Sequence, residues 1–358
     1  MASWKAAIYP VATGLLAAGL ISAESGIDAH TKISQVTWTV DVSPIIQTRC
    51  ARCHTADGFG PMSLTSYDDA KTWAKAIREE VLSGRMPPWK AAPGYGDFVN
   101  DASLTPIEID LLVSWADGGT PLGAPAASLL VSKITGSNRT DVRVFELPAV
   151  HVNGGTTERF ELATTEVTDR WIAGWEFTPG NRSVVEGATV WISPGTQVGS
   201  WTPLDSAVAF QPGAGERLPR GSRLVVEVRY RKTSEAQVDQ GRLTLHLGSQ
   251  PLRQVHHRSF SCGAATIKTA IDVLALRPLA SGAGESVEVV ATQPDESIEP
   301  LVLVPRYVPS YATTYRLRKP LHLAAGAQLV VRSSSVGCSA DLEFLTLDHF
   351  TRGMRPGL

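Results

Sequence analysis

Residues 222–232 read SRLVVEVRYRK. Leu224, Val226, Val228 and Tyr230 fall on one face of an extended chain, while Arg223, Glu227 and Arg229 fall on the other; only Val225 departs from the pattern. A repeat of two is the signature of a β-strand with one face in a core and one in water. The Pro219-Arg220-Gly221 stretch just before it is turn chemistry. Further β-rich runs lie on either side: RWIAGWEF (170–177), SVVEGATVWI (183–192), RLTLHLG (242–248), ESVEVVAT (285–292), AQLVVRSS (327–334) and LEFLTLDHF (342–350) among them. Clusters of Gly, Pro, Asn and Asp separate these runs at intervals of roughly 10 to 20 residues, the spacing of an antiparallel β-sandwich. The pattern predicts two such units, over residues 140–250 and 255–350.

The chain has 358 residues, enough for two or three domains, with 43% hydrophobic and 19% charged residues, 31 glycines and 23 prolines. Its formal net charge of −2 provides no broad positive field for a phosphate backbone, so nucleic acid is not an expected partner. A Gly-rich phosphate loop, a G-x-S-x-G elbow and an H-E-x-x-H pair are all missing from the sequence. At the N-terminus a single lysine, Lys5, precedes an uncharged apolar run from Ala6 to Ala23, the layout of a secretory signal over residues 1–29. An uncleaved anchor is the alternative, because the run is close to the ~20 residues that span a bilayer. Either way the remainder is expected to be periplasmic or otherwise extracytoplasmic. There Cys262 and Cys338, remote from the other two cysteines, are a natural disulfide.

Before the strands the pattern changes. Cys50-Ala51-Arg52-Cys53-His54 places two thiols three positions apart with a histidine directly behind. This is the spacing of covalent heme c attachment, in which the thiols take the two vinyl groups and the imidazole ligates iron. A zinc site needs a second ligand pair at metal spacing, and the next cysteine is Cys262. A thioredoxin-like pair needs a preceding strand, whereas VDVSPIIQTRCARCH reads as helix from Ser43. For the other axial position Met86 in SGRMPPW is preferred, since Pro87 and Pro88 stiffen an extended loop that can hold a thioether against iron. Met62 follows His54 too closely to reach the opposite face and reads as a gap-filling core residue. Trp89, Arg52 and Arg85 are candidates for the heme surroundings, the arginines as partners for propionates.

Two helices are expected around these ligands. SYDDAKTWAKAIREEVLSG has Ser66 as N-cap, Ala70, Trp73, Ala74, Ile77 and Val81 on one stripe, and Gly84 at its exit. TPIEIDLLVSWADGG has Thr105 as cap, Pro106 at the first position, and Ile107, Leu111 and Trp115 on one face. The first region, residues 36–124, resembles a class I cytochrome c, and residues 125–139 read as a linker. The expected fold class is therefore multidomain: a small all-α cytochrome c domain followed by an all-β tandem jelly-roll or β-sandwich region.

A wider resemblance rests on DRWIAGWEFTPGNRSVVEGATVWI, GSWTPLD, GERLPRGSRLVVEVRYRKTSEAQVD and LVLVPRYVPSYATTYRLRKPLHLAAGAQLVVRS. In that order they resemble the tandem jelly rolls of copper type II, ascorbate-dependent monooxygenases of the peptidylglycine alpha-hydroxylating type, in bacterial members with an N-terminal heme domain. The resemblance implies copper ligands that this chain lacks. Glu186-Gly187 stands where the family has adjacent histidines, Arg229-Tyr230 where it has His-Tyr, and no histidine lies between His257 and His322. Met354 is the one remaining thioether candidate, His256-His257 reads as a surface or interface pair, and His151, His246, His322 and His349 are isolated. Copper is thus not expected, and an ion pair between Arg229 and Glu186 is expected to fill the pocket instead. Three functions are consistent with this. The leading one is an exported mono-heme electron carrier whose β region docks redox protein partners, including a membrane-associated electron-transfer complex. The others are a copper monooxygenase with displaced ligands and a heme-based sensor. An electron carrier rather than an enzyme is the preferred outcome.

Overall fold

The structure is a computed structural model that describes residues 35–56, 58–124, 141–205, 207–248, 252–334 and 337–347. The leader at 1–29, the linker at 125–139, His349 and Met354 lie outside the described residues.

The stretch that opens the sequence reading is a central strand. Arg223–Tyr230 lies between Thr157–Ala163 and Val185–Ile192, with Thr196–Trp201 completing a four-stranded antiparallel sheet. Leu224, Val226, Val228 and Tyr230 are buried, and so is Val225. A second sheet packs across from it, ordered Asp141–Glu146, Arg242–Gly248, Arg170–Thr178, Ala214–Leu218 and Arg253–Gln254, with Val208–Ala209 joined to Arg170–Thr178. Between the two lies one apolar core containing Trp175, Phe177, Trp201, Leu243 and Leu245. Gly199 is required there, because a Cβ on it would come within 2.5 Å of the Trp175 ring.

The other sandwich repeats the plan. One sheet runs His256–Ser261, Cys338–Thr346, Ile271–Ala280, Tyr315–Leu323, and the facing sheet runs Gly263–Thr266, Gln328–Ser333, Val287–Thr292, Ile298–Val304. Cys262 and Cys338 form a disulfide beside the first pair of strands, with Cα atoms 5.0 Å apart, as the cysteine spacing predicts. The all-β, two-sandwich part of the expected fold is present.

The part in front of it is not a free-standing all-α domain. Its α-helices are short: α1 (Ser43–Ile45), α2 (Tyr67–Thr72), α3 (Ala74–Leu82) and α4 (Pro106–Asp117). Wider π-type turns at Trp38–Val42 and Ile46–Cys50 flank α1. These elements share a small core of Val42, Ile46, Ala70, Ile77, Leu112 and Trp115. Ser66 caps α2 by accepting from the Asp69 amide at 3.1 Å, but the expected continuous helix breaks at Trp73, whose φ −102°, ψ 9° is not helical. Trp73 stays 41% exposed. Thr105 and Glu108 form a full capping box at the start of α4. The buried face of α4 is Leu112 and Trp115, whereas Ile107 points to solvent: the stripe is rotated from the expected one because α4 packs on α3 and on the Trp38 turn.

After α3 the chain leaves this small core and joins the second sandwich. Phe98 bridges Leu317 on the edge strand Tyr315–Leu323, the Val99 amide donates to the Arg316 carbonyl at 2.9 Å, and the Ala92 amide donates to the Leu303 carbonyl at 2.7 Å. Trp89 and Phe98 pack on Tyr315, with ring centroids 4.9 and 5.2 Å away. An edge strand with unpaired backbone groups is thereby covered by the chain's own loop.

The two sandwiches meet through buried charge. His257 Nε2 lies 2.8 Å from Glu216 Oε1, and Glu216 is fully buried and also accepts from Gln254. Arg316 grips Glu343 with two nitrogens, at 2.8 and 3.3 Å. His256 stacks on Phe344, its partner on the neighbouring strand of the same sheet, so of the two adjacent histidines only His257 reaches across to the first sandwich. Burial opposes a charge on His257, but the bond to Glu216 and the nearby Glu343 carboxylate outweigh it and hold its pKa above the ordinary 6.5. Burial, partly offset by His257, raises Glu216 as well, and burial of Glu343 is outweighed by Arg316 and His257, which lower it.

Two outcomes follow from this architecture. A group whose pKa is raised on folding stabilises below its unfolded value and loses that contribution as pH rises through the folded one. Melting temperature should therefore fall as pH climbs above 6.5, the ordinary value for His257, and His257→Gln should flatten that slope in pH-dependent thermal melts. The Cys262–Cys338 link spans 76 positions. Replacing both cysteines by alanine should cost about 2–5 kcal/mol in chemical denaturation.

Candidate functional site

Ala51 caps the helical run that ends at Cys50, and a tight turn follows, closed by the Cys53 and His54 amides donating to the Cys50 carbonyl at 3.1 and 3.0 Å. This turn puts Cys50, Cys53 and His54 around one partly open cavity. Its walls are mostly apolar: Leu64 from the loop after the turn, Ile77 and Val81 from α3, and Leu204 and Tyr311 reaching in from the two sandwiches. Met86 and the two prolines behind it line the same cavity. Met62 lines it too, on the histidine's side.

His54 is held by its surroundings. Its Nδ1 lies 3.0 Å from the Met62 carbonyl oxygen. A carbonyl can only accept, so Nδ1 carries the proton and Nε2 keeps its lone pair for a metal. Gly60 lies flat against the ring: a Cβ there would stand 2.6 Å from His54 Nδ1. Gly58 is equally confined, since its Cβ would meet the Cys53 carbonyl oxygen at 2.0 Å. Of these two glycines in GFG, whose roles the sequence did not announce, Gly60 seats the imidazole and Gly58 lies against the turn; the signal for them was glycine five and seven positions beyond Cys53.

Cys50 and Cys53 are free thiols. Burial chiefly, with Cys53 beside it, pushes Cys50 up to about 12, and burial also raises Cys53. Zinc binding and thiol exchange both require a thiolate, which these surroundings disfavour. An apolar cavity with two thiols at heme spacing, an imidazole with a free Nε2 and a thioether fits a c-type heme.

The other candidates are engaged elsewhere. Trp89 packs on Phe98 and Tyr315 and does not line this cavity. Arg52 donates to the Leu204 carbonyl at 2.9 Å, tying the Cys-x-x-Cys turn to the first sandwich. Arg85 pairs with Glu80 at 2.7 Å on the surface. Among the described residues no three His, Cys, Asp or Glu side chains converge as a metal-ligand group. His322 lies 3.1 Å from Asp272, and His246 alternates with buried Leu245 and Leu247. Glu186 and Arg229 do line one cavity, yet no ion pair joins them.

No known family matches the chain, and no curated protein does. Solved structures that match include the major capsid protein P2 of bacteriophage PM2, at 10% identity over 60% of this chain and 100% of that one, with a TM-score of 0.32. The infectious bursal virus derived T=1 particle protein matches at 12% identity over 66% and 47%, TM-score 0.20. A Gx strain protein of infectious bursal disease virus matches at 14% identity over 58% and 43%, TM-score 0.18. Likeness at these scores says nothing of function. The resemblance to a class I cytochrome c fused to a copper monooxygenase is corrected: no family model and no curated relative matches the chain. The region taken for a cytochrome domain holds only four short α-helices and sends its last loop into the second sandwich. Short shared phrases such as turn-strand-turn mislead because any sandwich needs them.

The cradle for His54 makes a sharp expectation. Gly60→Ala should push the imidazole off the Met62 carbonyl. It should show as a shifted His54 ring signal in NMR, while the same change at Gly154, where a Cβ would meet nothing within 4 Å and φ is not left-handed, serves as the control for a glycine loss without contact.

Proposed function

We propose that this chain is an exported mono-heme protein that passes single electrons, with the paired β-sandwiches as the surface on which redox protein partners dock, including partners held at a membrane. The observation that carries the reading is the His54 imidazole, proton on Nδ1 and Nε2 free, in an apolar cavity shared with Cys50, Cys53 and Met86. Cys50 and Cys53 would hold heme c by two thioethers, and His54 and Met86 would cap its iron. When bound, the heme supplies a reversible one-electron couple at iron.

The protein's own groups do the rest. The Met62 carbonyl holds the proton on Nδ1 and so orients the ring. The Met86 thioether lines the same cavity and would serve as a second ligand, an arrangement that would suit transfer rather than catalysis. Ile77, Val81, Leu204 and Tyr311 keep water away, and a low dielectric favours the less charged oxidation state. Export is supported by the Cys262–Cys338 disulfide, since such links persist in oxidising compartments. No helix among the described residues is long and apolar enough to cross a membrane.

Protein matured in a host that attaches heme c should carry one covalent heme and give a low-spin reduced spectrum. Replacing Cys50 and Cys53 by alanine should release the heme on denaturation. In the reduced state Met86→Ala should bind CO readily while the parent does not. Colourless parent protein, or parent and Met86→Ala taking CO alike, would count against the assignment.

A further inference from the structure

A second cavity, open to solvent, lies between the two sandwiches. From the first sandwich come Glu186, Arg229 and Arg231, from the second Arg277, and from the loop after the heme motif Phe59. Three guanidinium groups face one carboxylate, so the lining carries a net positive charge. Two half-buried arginines elsewhere are paired, Arg316 with Glu343 and Arg170 with Glu166 and Asp141. Here Arg229, which is exposed, and the half-buried Arg231 and Arg277 make no ion pair with any described residue, and the buried Nε atoms of Arg231 and Arg277 have no hydrogen-bond partner. A half-buried cation without a counter-charge is costly, and a native fold tolerates it where a ligand supplies the charge.

The backbone is shaped for the purpose. The ladder between Val185–Ile192 and Arg223–Tyr230 slips between Val185 and Gly187, which leaves Glu186 as the extra residue of a bulge beside Arg229. A bulge re-aims the side chains on either side of it. Gly187 lets the Arg229 guanidinium lie close, since a Cβ there would stand 2.8 Å from its Nη2. Arg231 is steadied over the Phe59 ring, 4.8 Å from the centroid, so its position is set without a carboxylate. Apolar Pro203, Leu279 and Ala312 complete the wall.

We propose that this cleft binds a small organic anion, a phosphate or a dicarboxylate with an apolar body, gripped by Arg229, Arg231 and Arg277 and held at its margin by Glu186, which limits how much negative charge the site accepts. The proposal is independent of the heme reading. Planar, bidentate recognition of such groups is what guanidinium does best.

The test is calorimetric titration of the full chain with three probes: inorganic phosphate, succinate and phenyl phosphate. Saturable binding of at least one is expected, with phenyl phosphate tighter than inorganic phosphate if the apolar wall takes part. Arg277→Gln and Arg229→Gln should each weaken it by about tenfold, the loss of one charge-assisted hydrogen bond. Glu186→Gln should tighten it, an effect that a purely structural role would not produce. Arg229 and Glu186 are exposed at the mouth, so those two variants remain informative if Arg277→Gln unfolds, and thermal melts report that directly. Absence of saturable heat with all three probes would overturn the proposal. So would affinity unchanged in folded Arg229→Gln, or weakened in Glu186→Gln.

Discussion

The insertion of Phe98 and Trp89 into the second sandwich is the contact on which the site depends. The helical segment has only a small core of its own, and short helices of this length are marginal without tertiary partners. By running from α3 to the edge strand Tyr315–Leu323, the chain between Met86 and Asn100 fastens that segment to a rigid sheet. The same crossing carries Met86 over the cavity and leaves Tyr311 and Leu204 to finish its walls. A cavity completed by three separately built units is positioned by all of them, so the imidazole and the thioether need no long helix to hold them apart.

Charge arranges the remainder. Buried pairs at the sandwich junction, Glu216 with His257 and Glu343 with Arg316, cost desolvation that their mutual attraction only partly offsets, so they specify orientation more than they add stability. The cleft beside them uses the opposite device: three arginines without acidic partners and a bulge that moves one carboxylate to the rim.

Sequence reading reached some elements and missed others for identifiable reasons. Ser66 and Thr105 were legible as caps because a cap depends on residues within four positions. The break at Trp73 was not, because Trp73 takes a non-helical conformation that no local breaker residue announces. Ile107 was assigned to the core by its spacing, but helix rotation is set by the neighbour, here α3 and Trp38. Trp89 stood close to Met86 in sequence, yet its ring packs on Tyr315. Family likeness failed for a related reason: turn and strand phrases recur wherever a sandwich is built and carry no ligand chemistry.

What the linear chain determined by itself is local or covalent. Alternation placed the strands and Cys50-x-x-Cys53-His54 put two thiols and an imidazole on one turn, since both follow from bond geometry over a few residues, and the disulfide was legible because Cys262 and Cys338 are the two cysteines left over. Only the tertiary structure decided that Phe98 would join a distant sheet, that Gly60 would seat the His54 ring, and that Arg229, Arg231 and Arg277 would meet around one cleft. Those juxtapositions depend on how twisted sheets and loops pack to fill space and bury apolar surface, a balance summed over the whole molecule and therefore invisible in any short stretch of it.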